Sequence, residues 1–443
     1  MDNNTEDQPI TMGFDPDDYE TSAEKSLAKQ PPFATTRYCK PNYAMDLGSW
    51  YTDEAQLFYI SDCTKKKVIA SSYFLRNMKE AKLSLEHCVL GVRRCKPILN
   101  SVGFYTAITS LNLSDACLTD ESIPDLCNMF KENSVITELI LSDNHITSKH
   151  AEALCDVLTS SAQLERVDLH GNRFDDKASV YFSELMATSL RMSYLNLSRN
   201  DFGEAATVQF GRALPQATSL VELDVAWNRL GTGGMRQFGK GLAENKYLKI
   251  LNLSFNGIGP SRGCRELAIA LKGNKTLECL NLSGNRISPE GAVLLSRGFS
   301  NSTLLILDLT RNPLQTAGCF AILTGILKNT NSALRELNLQ GIIVNKDFRD
   351  LQDAARMKLP NLVVRAGGSV PLCKEAGFAN KYPSTKQLLQ KMGRITGHTL
   401  ADMLRPFDPT GDKLVTRQKF IEVLYVSSTI IYAALAHSRV NCG

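Results

Sequence analysis

One string recurs along this chain, L-x-L-x-x-N-x followed by an apolar residue, as in LILSDNHI from Leu139, LNLSRNDF from Leu195, LNLSFNGI from Leu251 and LNLSGNRI from Leu280. Its first apolar positions are Leu83, Leu111, Leu139, Val167, Leu195, Leu223, Leu251, Leu280, Leu307 and Leu337, six steps of 28 residues and then 29, 27 and 30. A worn further copy is expected from Leu362. A register held this long dictates a repeat architecture. One unit cannot bury its own apolar face, so neighbours must stack into a continuous core.

Within a unit the L-x-L segment alternates with period two, as a strand does, and the stretch after it has helical spacing, for example Ala151, Leu154, Val157 and Leu158. The expected fold is therefore an α/β solenoid, one strand and one helix per unit. Parallel strands lie on the concave face and wider helices on the convex face, and the difference in width bends the array into a horseshoe. The asparagine of each string (Asn144, Asn172, Asn200, Asn228, Asn256, Asn285 and Asn312) can satisfy backbone groups where the chain turns sharply off the strand. Each such bond contributes about 1 kcal/mol net, so this ladder is read as structural. Cys88, Ala116 and Ile342 replace the asparagine at the ends, as atypical terminal repeats do.

Repeats of this length with a full helix resemble the ribonuclease-inhibitor type of leucine-rich repeat, over roughly residues 83–368. That resemblance implies gripping of a macromolecule, as in ribonuclease inhibitor, the Ran GTPase-activating protein and the ligand-sensing ends of NOD-like receptors. The segment VIASSYFLRNMKEAKLSLEHCVLG, Val68 to Gly91, is similar to the lead-in of the leucine-rich repeat-containing protein 74 family, whose members continue past the repeats into a helical tail.

The flanks suggest an acidic mobile arm (1–50), a helical N-terminal cap (51–82), the array (83–368), a linker opened by Gly367-Gly368-Ser369 (369–384) and a helical tail (385–443). The acidic start MDNNTEDQPITMGFDPDDYE lacks the basic and apolar regions of a secretory signal. The apolar run from Val423 to Ala436 is short for a bilayer and is interrupted by Ser427, Ser428 and Thr429. Twelve cysteines with no C-x-x-C pair suit reduced thiols, and Cys127 and Cys155 fall at equivalent repeat positions as small buried hydrophobes. A cytoplasmic setting is expected, with a cilium or the cytoskeleton as a narrower option. A net charge of +4 gives no general phosphate-binding surface, so neither nucleic acid nor membrane is expected as a partner.

In the tail, LADMLRPFDPTGDKLVTRQKFIEVL (Leu400 to Leu424) resembles an EF-hand whose loop starts at Asp408. Asp408, Thr410 and Asp412 take the first, third and fifth places, but Lys413 stands where glycine is needed and Lys419 where a bidentate glutamate is needed. The loop is predicted not to bind calcium.

Register also lets the side chains that flank the inward leucines be read as columns. One is polar and partly acidic, with Asp168, Asn196, Asp224, Asn252 and Asp308; the next is small, with Ser142, His170, Ser198, Ala226 and Ser254. The column after those runs Asp143, Gly171, Arg199, Trp227, Phe255, Gly284, Arg311 and Gly341, and Tyr194 precedes its strand nearby. Tyr194, Arg199, Trp227, Phe255 and Arg311 are the candidate partner-binding residues, because Trp, Tyr and Arg dominate interface hot spots. Trp227 and Phe255 could instead stack on each other merely to cover strand edges, and both readings stand at this point.

Phosphate-loop, nucleophile-elbow and zinc-helix motifs are all missing, and the six histidines are scattered. The expectation is a scaffold without catalytic residues, cofactor or metal, binding an unidentified protein. The alternative is a Ran-type GTPase-activating protein, whose acidic C-terminal run has no counterpart here.

Overall fold

The computed structural model describes residues 10–11, 53–104, 107–259, 261–329, 332–367 and 414–415. The chain divides into two compact units, one formed by Cys39–Leu372 and the other by Met1–Tyr38 with Cys373–Gly443. In the second unit the described residues are an antiparallel pair, Ile10–Thr11 with Leu414–Val415. The expected EF-hand-like ligand positions Asp408, Thr410 and Asp412 lie outside the described residues.

The larger unit is built on one parallel sheet of eleven strands in chain order, each inner strand hydrogen-bonded to the strands of the repeats before and after it. The register sets the first leucine of one repeat against the first leucine of the next. Leu139 pairs with Val167, Val167 with Leu195, Leu195 with Leu223 and Leu223 with Leu251. These positions, and the second leucines Leu141, Leu169, Leu197, Val225 and Leu253, are 0% exposed. Between them Ile140, Asp168 and Asp224 are half-buried while Asn196 and Asn252 are 8% and 7% exposed, so one face of the sheet lies against the helices and the other is open but polar and recessed. Fully burying a leucine side chain contributes about 1.5–3 kcal/mol, so the paired leucine columns are the main source of cohesion along the array.

The last strand, Val363–Gly367, sets Val364 opposite Leu337, not Leu362. The sequence register at this end was thus two residues off. Period two kept the error harmless, because Leu362 and Val364 are both buried.

Each helix runs back along the buried side of the sheet. The motif's final apolar residues become phenylalanine in mid-array, where Phe174, Phe182, Phe202 and Phe210 meet edge to face at 5.0, 5.8 and 5.3 Å between centroids. Two of these helices also touch backbone to backbone. A Cβ on Gly241 would lie 1.9 Å from the Gly211 carbonyl oxygen, so glycine is obligatory there. At the start of the array, helices Glu54–Lys65 and Ser72–Asn77 are capped by Asp53 and Ser71. Among the described residues no helix is long and apolar enough to cross a membrane.

Candidate functional site

The strands are short, and the chain leaves each one through the same turn. The residue just before the motif asparagine is left-handed in every repeat of the middle array, with φ of 54° at Asp143, Arg199 and Phe255 and 55° at Trp227 and Arg311. Gly171, Gly284 and Gly341 take the same place with φ of 68°, 64° and 80°. An L-residue pays roughly 1–2 kcal/mol in this region, and bulky side chains are rare in it.

The asparagine underneath holds the turn closed and ties it to the preceding repeat. The Asn200 amide nitrogen donates to the carbonyls of Leu169 and Leu197 at 3.1 and 3.0 Å, and its oxygen accepts from the Phe174 amide at 3.0 Å. Asn228 repeats the pattern on Leu197, Val225 and Phe202. Asn144, Asn172, Asn256, Asn285 and Asn312 likewise donate to the carbonyl one repeat back, at 2.8–2.9 Å.

Above this ladder the rings of Trp227 and Phe255 lie flat on one another, with centroids 3.9 Å apart and planes 10° from parallel. The Arg199 guanidinium sits 5.6 Å from the centre of the Trp227 ring, and that of Arg311 sits 5.9 Å from the Phe255 ring. Gly284 leaves the space that permits this reach: a Cβ there would lie 2.5 Å from a Phe255 ring carbon. Gly171 makes the same allowance for Asp143, whose carboxylate would clash with a Cβ at 2.2 Å. Asp143 and Phe255 therefore lean over the next repeat, where a glycine makes room for them. The outcome is a stack of four residues, cation, indole, phenyl and cation, with Trp227 44% exposed.

The acidic column on the open face is recessed and internally satisfied. Asp168 accepts from the His170 amide and lies 2.9 Å from its ring Nδ1. Asp224 accepts from the Ala226 amide and from Asn252, both at 2.9 Å. Burial pushes the Asp224 carboxyl up to about 6, since its hydrogen bonds only partly offset desolvation and Asp168 and Glu222 add repulsion. Burial acts to lower the His170 pKa, but hydrogen bonds with Asp143 and Asp168 outweigh it and carry the imidazole up to about 9. His170 is thus a cation at neutral pH, held between two carboxylates.

Of the five residues singled out from sequence, Arg199, Trp227, Phe255 and Arg311 come together in the stack. Tyr194 does not. It begins its strand, paired at Cα with Arg166 and Glu222, and its ring is covered by the Arg166 guanidinium at 3.9 Å. A column number says which repeat a side chain belongs to, but Tyr194 opens the strand Tyr194–Asn196 and Arg199 lies in the turn beyond its far end.

Sequence reasoning also missed a second set of asparagines, at the ends of the helices. Asn245 donates to the Leu214 carbonyl at 2.6 Å and accepts from the Tyr247 and Leu248 amides. Asn274 does the same one repeat later, on Leu242, Thr276 and Leu277. Asn133 and Asn329 donate to Val102 and Phe299. The signal was available, because Asn245 and Asn274 are separated by one repeat length.

A family model described as Leucine Rich repeat matches residues 132–155, 216–239, 244–261, 273–296 and 300–323. Every matched stretch holds one strand of the sheet and one asparagine of the ladder, from Asn144 to Asn312. The chain therefore carries leucine-rich repeats in a solenoid with a parallel sheet. Among solved structures it is similar to an internalin of Listeria monocytogenes, at 13% identity over 72% of this chain and 91% of that one, with a TM-score of 0.40.

Proposed function

We propose that this protein is a non-catalytic interaction scaffold whose repeats curve into a horseshoe of the ribonuclease-inhibitor type and take a protein partner on the concave strand face. The patch centres on Arg199, Trp227, Phe255 and Arg311. One observation carries the reading: two large aromatic rings are held face to face on the open side, on adjacent turns whose backbone disfavours such residues. The repeat imposes the left-handed turn, so what sets these two apart is their filling with bulky rings where glycine would sit without strain. The turns are fixed by the asparagine ladder, so a partner would meet a preformed surface and little ordering entropy would be lost on binding. Buried free thiols such as Cys127 and Cys155 suit a reducing, cytoplasmic setting. Kinship with the leucine-rich repeat-containing protein 74 family rests on the Val68–Gly91 lead-in.

The test is affinity capture from cell extract, with wild type and the Trp227→Ala, Phe255→Ala double variant side by side. The expected result is a protein held by the wild type and lost by the variant. Trp227→Ala alone should weaken that complex by about 2 kcal/mol, close to thirtyfold. Equal retention by both proteins would sink the patch.

A further inference from the structure

The trailing edge of the strand face, where the chain leaves each strand, carries an excess of arginine. Arg173, Arg199, Arg229, Arg286 and Arg311 all lie there, and all are exposed. Arg229 is matched by Asp201 at 2.7 Å. Arg173, Arg286 and Arg311 have no carboxylate partner among the described residues. The nearby acids are committed elsewhere. Asp143 faces the His170 ring at 3.4 Å, and Asp168, Asp224 and Asp308 are drawn into hydrogen bonds with their own turns at 2.8–3.0 Å. Asp143 and Asp201 project as well, but the first lies against the His170 ring and the second against Arg229, so the surplus charge of this edge among the described residues is positive.

The aromatic stack adds to this bias. Each ring has one face against the other ring and its opposite face toward a guanidinium, with the Gly284 backbone also lying beneath Phe255. What is left for a partner is the ring edge, the positive part of an aromatic quadrupole. Edges and guanidiniums both favour an anionic oxygen, and the planar arginine fork matches a carboxylate in a bidentate manner.

From this we infer that the partner segment taken on the trailing edge is an acidic peptide, laid across the turns with its carboxylates on Arg173, Arg199, Arg286 and Arg311. The inference rests on the interaction reading above and names the partner's chemistry. The repeats of Arg173 and Arg311 are five strands apart in the sheet. At about 4.8 Å per strand this spans roughly 24 Å, the length of an extended peptide of about seven residues. Alternation along such a peptide puts every second side chain toward the rim.

The test uses the full chain and three fluorescein-labelled peptides of about twelve residues, alternating threonine with glutamate, glutamine or lysine. Anisotropy should show binding of the glutamate peptide and at least tenfold weaker binding of the other two. Affinity for the glutamate peptide should fall severalfold as salt rises from about 50 to 200 mM, because exposed charge pairs are screened. The Arg199→Glu, Arg311→Glu variant should lose at least tenfold, while Arg166→Glu on the opposite edge should change binding less than twofold. Equal binding of the glutamine peptide, no binding of the glutamate peptide, or indifference to the double charge reversal would each overturn the inference. The two readings can fail separately. If a captured protein is lost by Trp227→Ala, Phe255→Ala but kept at full affinity by Arg199→Glu, Arg311→Glu, the face still binds a partner and only the acidic assignment falls.

Discussion

The two edges of the strand face are built from similar residue types and end in different states. On the leading edge, where strands begin, charges are spent on each other: Arg166 reaches Glu138 at 3.4 Å and Lys249 meets Glu278 at 2.9 Å. The aromatic residue there, Tyr194, is already covered by Arg166. On the trailing edge the two rings cover each other, Arg173, Arg286 and Arg311 have no carboxylate partner among the described residues, and the backbone is held left-handed. An edge that satisfies itself offers little to a partner, whereas one that is strained and positively charged gains by meeting one. The contrast arises from the turn. Leaving a strand demands a left-handed residue above a buried asparagine, while starting one makes no such demand.

The largest expected effect comes from removing that asparagine. Asn200→Ala would strand the Leu169 and Leu197 carbonyls and the Phe174 amide in a buried site, and a buried unsatisfied group costs about 1–3 kcal/mol. A loss of about 3 kcal/mol is expected in urea denaturation, since the stranded groups can regain only part of their bonding. A loss below 1 kcal/mol would show that the ladder does not hold the trailing edge.

Next is a pH effect at His170, which borders the trailing edge. Its folded pKa is raised from 6.5 to about 9, so protonation favours the folded state. That stabilisation is complete below pH 6.5 and is lost as pH rises through about 9. The full shift corresponds to roughly 3 kcal/mol, and a ring one-quarter exposed is partly screened, leaving on the order of 2 kcal/mol. Stability measured from pH 6 to 10 should fall in the wild type and flatten in His170→Gln. Parallel curves would remove His170 from the account.

A smaller effect separates strain from packing. Trp227→Gly should relieve roughly 1–2 kcal/mol of left-handed strain, against about 1 kcal/mol for stacking and a similar cost in glycine entropy. The melting free energy should then stay within about 1 kcal/mol of wild type, even though the largest exposed side chain of the patch is gone. A loss above 3 kcal/mol would mark Trp227 as a core residue. Smallest of all, Arg166→Ala on the leading edge should cost no more than about 0.5 kcal/mol, because its side chain is 48% exposed.

The sequence made the repeat legible because strand and asparagine spacings are one-dimensional. Leu139, Val167, Leu195 and Leu223 could be aligned without coordinates, and the sheet pairs them in that register. The stack itself was half legible. Trp227 and Phe255 stood in adjacent rows of one column, but nothing in those residue types announces a left-handed turn. The glycines at 171, 284 and 341 did carry that information, since a column that accepts glycine repeatedly is often one that requires positive φ. Arg311 joined the stack only because Gly284 has no side chain, a consequence of lean direction that spacing alone does not give. Tyr194 was grouped with the wrong edge for a related reason: period fixes the repeat, not the distance along the strand.

The most direct test of the contrast places a benzophenone photo-crosslinking amino acid at Arg286 on the trailing edge and, in a separate protein, at Arg166 on the leading edge. After irradiation in cell extract, the account predicts a covalent adduct with a partner protein from position 286 and none from position 166. An adduct from position 166 alone, or the same adduct in equal yield from both, would contradict it.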